Sequence, residues 1–261
     1  MSVAETGSHS HYLGDPVNWF ESEPGQSLLR AENHRISSIL PDLFGYHILQ
    51  LSTWTPSDFM SASRIRHKIL ARRPPDQFTG KNPDLVCHNS ALPIGSDCID
   101  VVLLNHVLEF EKNPHQVLRE VERVLIGEGH VVILGFNPWS FWGLWRVMLA
   151  WKDRFPWLGH YFSQSRVKDW LTLLDFEIVK TEKFFFRPPI KNSRLITRLN
   201  FLEPIGRYCW PFWGGVFLIV AKKRVSSMTP IKLQWQSRRR MIASGVIEPN
   251  ARMTPVKVKD E

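Results

Sequence analysis

The sequence predicts an α/β fold built on an open, largely parallel sheet. Three features of residues 92–139 indicate this fold: an apolar, β-branched run at 99–104, an amphipathic helical pattern after it, and a second apolar run at 131–135. A strand, a helix and a strand in this order are the unit from which such sheets are built. Ligands of these sheets bind where the strands end, so the loops that follow the strands are expected to carry the functional site.

One helix, three strands and a short helical segment are predicted before this unit. Residues 27–40 have the apolar spacing of a helix, and Pro41 is expected to end it. Apolar runs indicate the three strands, at 46–51, 66–71 and 84–87. The short helix is predicted at 56–62, between the first two strands.

The helix between the two buried strands has its own start and stop signals. Asn113 is expected to be the N-cap, with Pro114 in the first helical position and Gln116 at N3. Gly127 or Gly129 is expected to end the helix. Its apolar face would consist of Val117, Leu118, Val121, Val124 and Leu125.

Two more helices and two more strands are predicted beyond residue 138. An aromatic-rich helical pattern covers 139–151, and Ser165 is expected to cap a helix that runs to Leu174. Apolar runs predict the last two strands at 176–186 and 216–222.

The composition indicates a packed globular protein of a reducing compartment. Hydrophobic residues make up 43% of the 261 residues, which suits one large domain or a domain with an appendage. Three scattered cysteines without a CxxC pair argue against disulfides and a zinc site, so we expect a cytoplasmic protein without a bound metal. The polar first residues and the lack of an apolar run of about 18 residues argue against a signal peptide and a transmembrane helix.

The positive charge is concentrated at the end of the chain. Residues 222–261 carry ten Lys and Arg against three Asp and Glu, so they hold +7 of the formal net charge of +8. The tail at 225–261 is either a solvated, flexible end or a weak binding patch for nucleic acid or anionic lipid, centred on Arg238, Arg239 and Arg240.

Four motifs stand in order within residues 92–135. They are LPI at 92–94, IDVV at 99–102, VLEF at 107–110 and LREVERVL at 118–125. In this order and spacing they resemble the type 11 family of class I S-adenosylmethionine-dependent methyltransferases. The resemblance extends over about residues 44–224. Within the family, the chain resembles a bacterial subgroup without an assigned substrate.

The resemblance implies a Rossmann-like sheet of seven strands with helices on both faces. The antiparallel last strand would lie between the fifth and sixth. The implied organisation is a peripheral N-terminal segment at 1–43, a methyltransferase-like domain at 44–224 and the basic tail at 225–261. S-adenosyl-L-methionine would lie across the C-terminal ends of the first four strands, in agreement with the general rule for such sheets.

The cofactor turn implied by the family is altered in this chain. The family holds the methionine end of the cofactor with an acidic residue followed by three alternate glycines, which let the backbone approach the ligand. Here Gln50 stands at the acidic position, and Ser52, Trp54 and Pro56 stand at the glycine positions. Pro56 lacks an N–H donor and Trp54 adds bulk, whereas Gln50 can still accept a hydrogen bond.

The resemblance places further site residues after the second, third and fourth strands. No acid follows the second strand at 70–73, where the family binds the ribose hydroxyls. His88 and Asn89 stand near the adenine position, and Asn105 could line the methionine pocket. His106 is the best candidate for a general base, and the alternative is a satisfied core or loop histidine. Glu109 is an alternative polar anchor.

Two functions follow from these observations. The first is methyl transfer from S-adenosylmethionine to an unknown acceptor, by direct displacement with the protein supplying orientation. The second is a non-catalytic binding or scaffold protein that keeps the fold with a degenerate cofactor site. The aromatic pattern at 139–151 is either a core or lid helix, or an apolar acceptor pocket or membrane-surface contact.

Overall fold

The computed structural model describes six parts of the chain. These are residues 19–20, 22–52, 59–73, 82–149, 159–187 and 212–225. The described residues belong to one compact unit within residues 1–225, and residues 226–261 lie outside the described parts. The basic tail beyond residue 225 therefore keeps its predicted role as an expectation.

The described parts contain four α-helices and seven β-strands. The helices are α1 (Glu23–Ser37), α2 (Pro114–Val124), α3 (Phe141–Leu149) and α4 (Gln164–Leu173). The strands are β1 (His47–Ser52), β2 (His67–Arg72), β3 (Leu85–Val86), β4 (Ile99–Asn105), β5 (Leu125–Phe136), β6 (Phe176–Phe184) and β7 (Val216–Lys223). Short 3₁₀ turns occupy Leu40–Asp42, Phe59–Ala62 and Leu108–Phe110.

The seven strands form one sheet in the order β3-β2-β1-β4-β5-β7-β6. The pairings among β1 to β5 are parallel, whereas β7 runs antiparallel to both β5 and β6. This order confirms the predicted Rossmann-like sheet with its antiparallel last strand between the fifth and sixth. The parallel strands bring their carboxyl ends to one edge of the sheet, where Ser52 and Asn105 lie.

Helices cover both faces of the sheet, as predicted. All seven residues of β4 are buried, which is typical of a central parallel strand with layers on either side. On one face, β4 contributes Val101 and Leu103 to a core shared with α1. On the other face, Val102 and Leu104 join the apolar residues of α2 and α4.

Helix α1 is an integral part of the first core layer, although the sequence suggested a peripheral segment. Leu28, Leu29 and Ile36 are buried against the sheet. The helix begins at Glu23, earlier than predicted, because Pro24 is well tolerated in a first turn. It ends at Ser37, so the predicted extension to Leu40 is wrong.

The two glycines after α2 do not end that helix as predicted. Leu125 already has extended backbone angles, and β5 runs through both glycines to Phe136. A Cβ atom on Gly129 would lie 2.9 Å from the carbonyl oxygen of Ile126 and 3.1 Å from that of Asp100. The glycine therefore permits close backbone approach within the sheet.

One of the two predicted N-caps is confirmed. Asn113 is the N-cap of α2 and Pro114 is its first residue, as predicted, although the Asn113 side chain makes no capping hydrogen bond. Ser163, and not Ser165, caps α4, since its hydroxyl oxygen accepts the Arg166 N–H at 3.3 Å. This shift of two residues at α4 leaves the order of elements unchanged.

Candidate functional site

Three polar side chains lie together at the carboxyl ends of the central strands. Ser52 ends β1 and is paired in register with Arg72 of β2 on one side and with Asn105 of β4 on the other. All three residues are buried. Buried polar groups gathered where parallel strands end are typical of a ligand site in an α/β sheet.

Gln50 lies two residues before Ser52 in β1, and its side chain stabilises the local structure. The residue is fully buried in β1, and its Oε1 atom accepts the Phe59 N–H at 3.1 Å. The amide thereby fixes the chain where it re-enters the core after the altered turn. Trp54 and Pro56 lie outside the described residues.

Arg72 occupies the end of β2, where the family resemblance implies an acid. The residue is buried, and its neighbour Arg73 points its Nη1 atom to within 3.9 Å of Glu111 Oε1. The absence of an acid at this position was predicted from the sequence. The structure adds that a buried cation lies in its place.

The two predicted adenine-side residues have different environments. His88 is exposed, whereas Asn89 is buried in the turn after β3. Asn89 Nδ2 donates to Glu111 Oε1 at 2.9 Å, while its buried Oδ1 atom has no partner among the described residues. Asn89 therefore presents an unused acceptor, held in place by Glu111.

His106 lies between two buried carboxylates. Its Nε2 atom is 2.7 Å from Oε1 of Glu32 in α1, and its Nδ1 atom is 3.1 Å from Oε1 of Glu109. The same oxygen of Glu109 accepts the Phe136 N–H at 2.7 Å. His106 has a φ of 49°, in the left-handed region that non-glycine residues seldom adopt.

The two carboxylates determine the protonation of this histidine. Burial disfavours the charged ring, but the charges and hydrogen bonds of Glu32 and Glu109 outweigh it and raise the pKa of His106 to about 10. An imidazolium donates from both ring nitrogens, which fits a ring placed between two carboxylates. The ring then has no lone pair with which to accept a proton.

Stacked aromatic rings seal the histidine from solvent. The ring centroid of Phe136 lies 4.1 Å from that of His106, and Tyr161 and Trp142 stack on Phe136 at 5.1 and 5.8 Å. His106 is only 2% exposed as a result. The remaining oxygens of Glu32 and Glu109, both Oε2, are buried without a hydrogen-bond partner in the described parts of the chain.

The sequence reasoning missed Glu32. A usable signal was present, since Leu28, Glu32 and Ile36 follow one another at helical spacing and all three are fully buried. A single acid within an apolar helix stripe predicts a buried partner of opposite charge. The identity of that partner, His106, could not be predicted from local sequence patterns.

Two negative findings apply to the described parts of the chain. No group of His, Cys, Asp and Glu side chains there is arranged to hold a metal ion. Within the same ranges, no helix has both the length and the apolar character needed to cross a membrane.

Comparisons with known proteins agree with this architecture. Residues 61–133 match the family model for the type 11 methyltransferase domain. YafS, an uncharacterized protein of Escherichia coli, is 28% identical over 214 residues, which cover 82% of this chain and 83% of that protein.

Solved methyltransferase structures share the fold. A SAM-dependent methyltransferase from Archaeoglobus fulgidus has a TM-score of 0.55 at 17% identity, covering 79% of this chain and 97% of that chain. A SAM-dependent methyltransferase from Thermotoga maritima has a TM-score of 0.55 at 16% identity, covering 80% and 99%.

The sheet order and these similarities define a protein with the class I S-adenosylmethionine-dependent methyltransferase fold. More narrowly, residues 61–133 match the type 11 methyltransferase domain, in agreement with the resemblance of the sequence motifs. Fold and domain together support methylation dependent on S-adenosylmethionine in general terms.

Proposed function

We propose that this protein binds S-adenosylmethionine along the carboxyl ends of β1, β2 and β4 and transfers its methyl group to an acceptor not yet known. The observation that carries this proposal is the row of buried polar side chains at that edge, Ser52, Arg72 and Asn105, which are adjacent in register. The proposal places the reaction in the cytoplasm.

The side chains at this edge suit a nucleoside cofactor at several points. The unused Oδ1 acceptor of Asn89 suits the exocyclic amine of an adenine ring. Ser52 and Asn105 suit the polar groups of the amino-acid end. Arg72 can donate to ribose hydroxyls, although it cannot accept from them as an acid would. Asn89, Ser52, Arg72 and Asn105 are thus the residues that would hold the cofactor.

The cofactor would supply a methyl group activated by its sulfonium, and the protein would supply orientation. Catalysis of this displacement depends chiefly on holding the acceptor in line with the methyl group. His106 would serve as a general base only after losing a proton that Glu32 and Glu109 stabilise. While it is bonded to Glu32 and Glu109, His106 acts instead as a fixed cation that joins α1 to the loop after β4.

Calorimetric titration of the full chain with S-adenosylmethionine tests the proposal. We expect a dissociation constant below about 1 mM, which corresponds to roughly 4 kcal/mol of binding free energy. Weaker binding would rule the proposal out, because cellular cofactor could not fill the site. Mass spectrometry of small molecules that copurify with the protein gives an independent readout.

A non-catalytic scaffold is the second candidate, and the use of Gln50 favours it. The Gln50 amide oxygen is already engaged by the Phe59 N–H. The paired variant Trp54→Gly and Pro56→Gly separates the two functions. Cofactor binding that appears only in this variant indicates a scaffold, whereas equal or weaker binding than in the natural chain indicates a working, divergent site.

A further inference from the structure

An exposed aromatic surface lies at the same edge of the sheet as the candidate site. We name it the aromatic edge patch and define it as Trp139, Phe141, Leu144, Trp145, Phe212 and Trp213. Trp139 and Phe212 are 75% and 71% exposed, far more than large apolar side chains usually are. The rings of Phe141 and Trp213 meet edge to face at 5.1 Å, which joins the two segments into one surface.

The topology fixes the position of this patch. Its first segment follows the carboxyl end of β5, and its second precedes the amino end of β7. Because β7 runs antiparallel to β5, both segments begin at the edge where Ser52 and Asn105 lie. Asn137 fastens them together, since its Nδ2 atom donates to the carbonyl oxygens of Phe212 and Gly214 at 2.8 and 2.9 Å.

The stretches of sequence that contain the patch residues combine tryptophan with positive charge. Residues 137–158 and 185–215 contain seven of the eleven Trp residues of the chain. The same residues hold eight Lys and Arg against two Asp and Glu. The rest of residues 1–221 differs, because it carries fifteen Lys and Arg against twenty Asp and Glu, a net charge of −5.

A cation is already placed beside the exposed rings. Lys183 Nζ lies 5.5 Å from the ring centroid of Phe212. Tryptophan and phenylalanine with neighbouring lysine and arginine are typical of side chains at a lipid–water interface, where rings enter the headgroup layer and cations meet lipid phosphates. The excess of positive charge complements an anionic surface.

We propose that the aromatic edge patch docks on the surface of an anionic lipid bilayer and turns the carboxyl edge of the sheet toward it. The rings insert among the headgroups, and the basic side chains contact the lipid phosphates. A methyl acceptor located in or on a membrane would then reach the candidate site without crossing bulk water.

Vesicle sedimentation tests this proposal and needs no cofactor, so its outcome is independent of methyl transfer. The full chain is mixed with vesicles of phosphatidylcholine and phosphatidylglycerol in a two-to-one ratio, or of phosphatidylcholine alone. We expect binding to the anionic vesicles and at least about tenfold weaker partitioning for the triple variant Trp139→Ser, Phe212→Ser and Trp213→Ser. These side chains are exposed, so the fold is expected to tolerate the change.

Matched variants make the result specific to the patch. Leu173→Ser and Val179→Ser remove apolar side chains that are also exposed but lie elsewhere, and they should leave vesicle binding unchanged. A chain that ends at residue 225 should still bind through the patch. The proposal is overturned if the full chain ignores anionic vesicles, if the triple variant binds as well as the natural chain, or if removing the tail abolishes binding. It is equally overturned if the patch mediates self-association instead, seen as a lower sedimentation mass for the triple variant.

Discussion

The Oε1 atom of Glu32 lies 2.7 Å from Nε2 of His106, although 74 residues of chain separate the two. Glu32 belongs to α1, which precedes the residues that match the family model, 61–133. His106 stands directly after β4, at the centre of that match. This ion pair therefore joins an element outside the recognised motifs to the loop where the family resemblance places the reacting centre.

Replacement of Glu32 by glutamine should destabilise the protein at neutral pH. Glutamine preserves the shape but removes one of the charges that hold the buried imidazolium, and a hydrogen bond to a charged group contributes roughly 1.5–3 kcal/mol. We expect the free energy of unfolding to fall by about that amount. Urea denaturation of the natural chain and the Glu32→Gln variant measures the difference.

Glu23→Gln is the matched control on the same helix. Glu23 is exposed in the first turn of α1, where its carboxylate contributes less than about 1 kcal/mol through the helix dipole. If Glu32→Gln is no more destabilising than Glu23→Gln, the ion pair does not stabilise the fold.

The free energy of unfolding should also fall as pH rises from neutral toward 10. The pKa of His106 is about 10 in the folded protein against an ordinary value of 6.5, so between these values the folded state holds a proton that the unfolded state releases. The stabilisation from His106 is thus complete below 6.5 and is lost as pH increases through the folded value. The slope is at most about 1.4 kcal/mol per pH unit for one proton.

Comparison with His106→Asn isolates this contribution from that of other groups. Asparagine tolerates the positive φ of 49° at this position. The difference in unfolding free energy between the natural chain and the variant should shrink steadily with pH. A difference that stays constant across this range would show that His106 does not hold an extra proton in the folded state.

Asn89 should contribute more than His88 to cofactor binding. Its Oδ1 atom is a buried, unused acceptor, whereas His88 is exposed. Loss of one neutral hydrogen bond costs roughly 0.5–1.5 kcal/mol, so Asn89→Ala should weaken S-adenosylmethionine binding about two- to tenfold. His88→Ala, titrated in the same calorimetric assay, should change the affinity little. The reverse order would place the adenine ring beside His88.

Local signals explain which parts of the fold could be predicted. The apolar run at 99–104 predicted β4, which extends one residue further to Asn105. Strand order followed from the family resemblance, and local patterns alone would not have supplied it. Glu32 and His106 meet only because α1 packs on the sheet, and no local pattern encodes a pairing across 74 residues.

The glycines after α2 show how a sound local rule can fail. Glycine commonly ends a helix, and the sequence places Gly127 and Gly129 where such an end is expected. In the structure, Gly129 is instead required by the close approach of the Ile126 and Asp100 carbonyl oxygens. The competing demand comes from the pairing of β5 with its neighbours, which tertiary structure alone reveals.

Arg123 on α2 is more important for stability than its place on the polar face of the helix suggested. Its Nη1 atom donates to the carbonyl oxygen of Ile94 at 2.9 Å, and its Nη2 atom donates to that of Leu92 at 3.1 Å and to Glu120 at 2.9 Å. The planar guanidinium thereby ties α2 to the segment that leads into β4. Lysine keeps the charge but cannot match this fork.

Arg123→Lys should therefore lower the free energy of unfolding by about 1 kcal/mol, a value that allows for the partial exposure of the side chain. Arg119→Lys is the matched control, since Arg119 is exposed on the same helix and should cost less than about 0.5 kcal/mol. Hydrogen exchange gives a local readout. The Leu92 amide donates to Glu120 at 3.1 Å, and Arg123→Lys should speed its exchange because Glu120 loses its anchor. Unchanged protection of Leu92 together with equal unfolding energies for the two variants would show that Arg123 does not hold this segment.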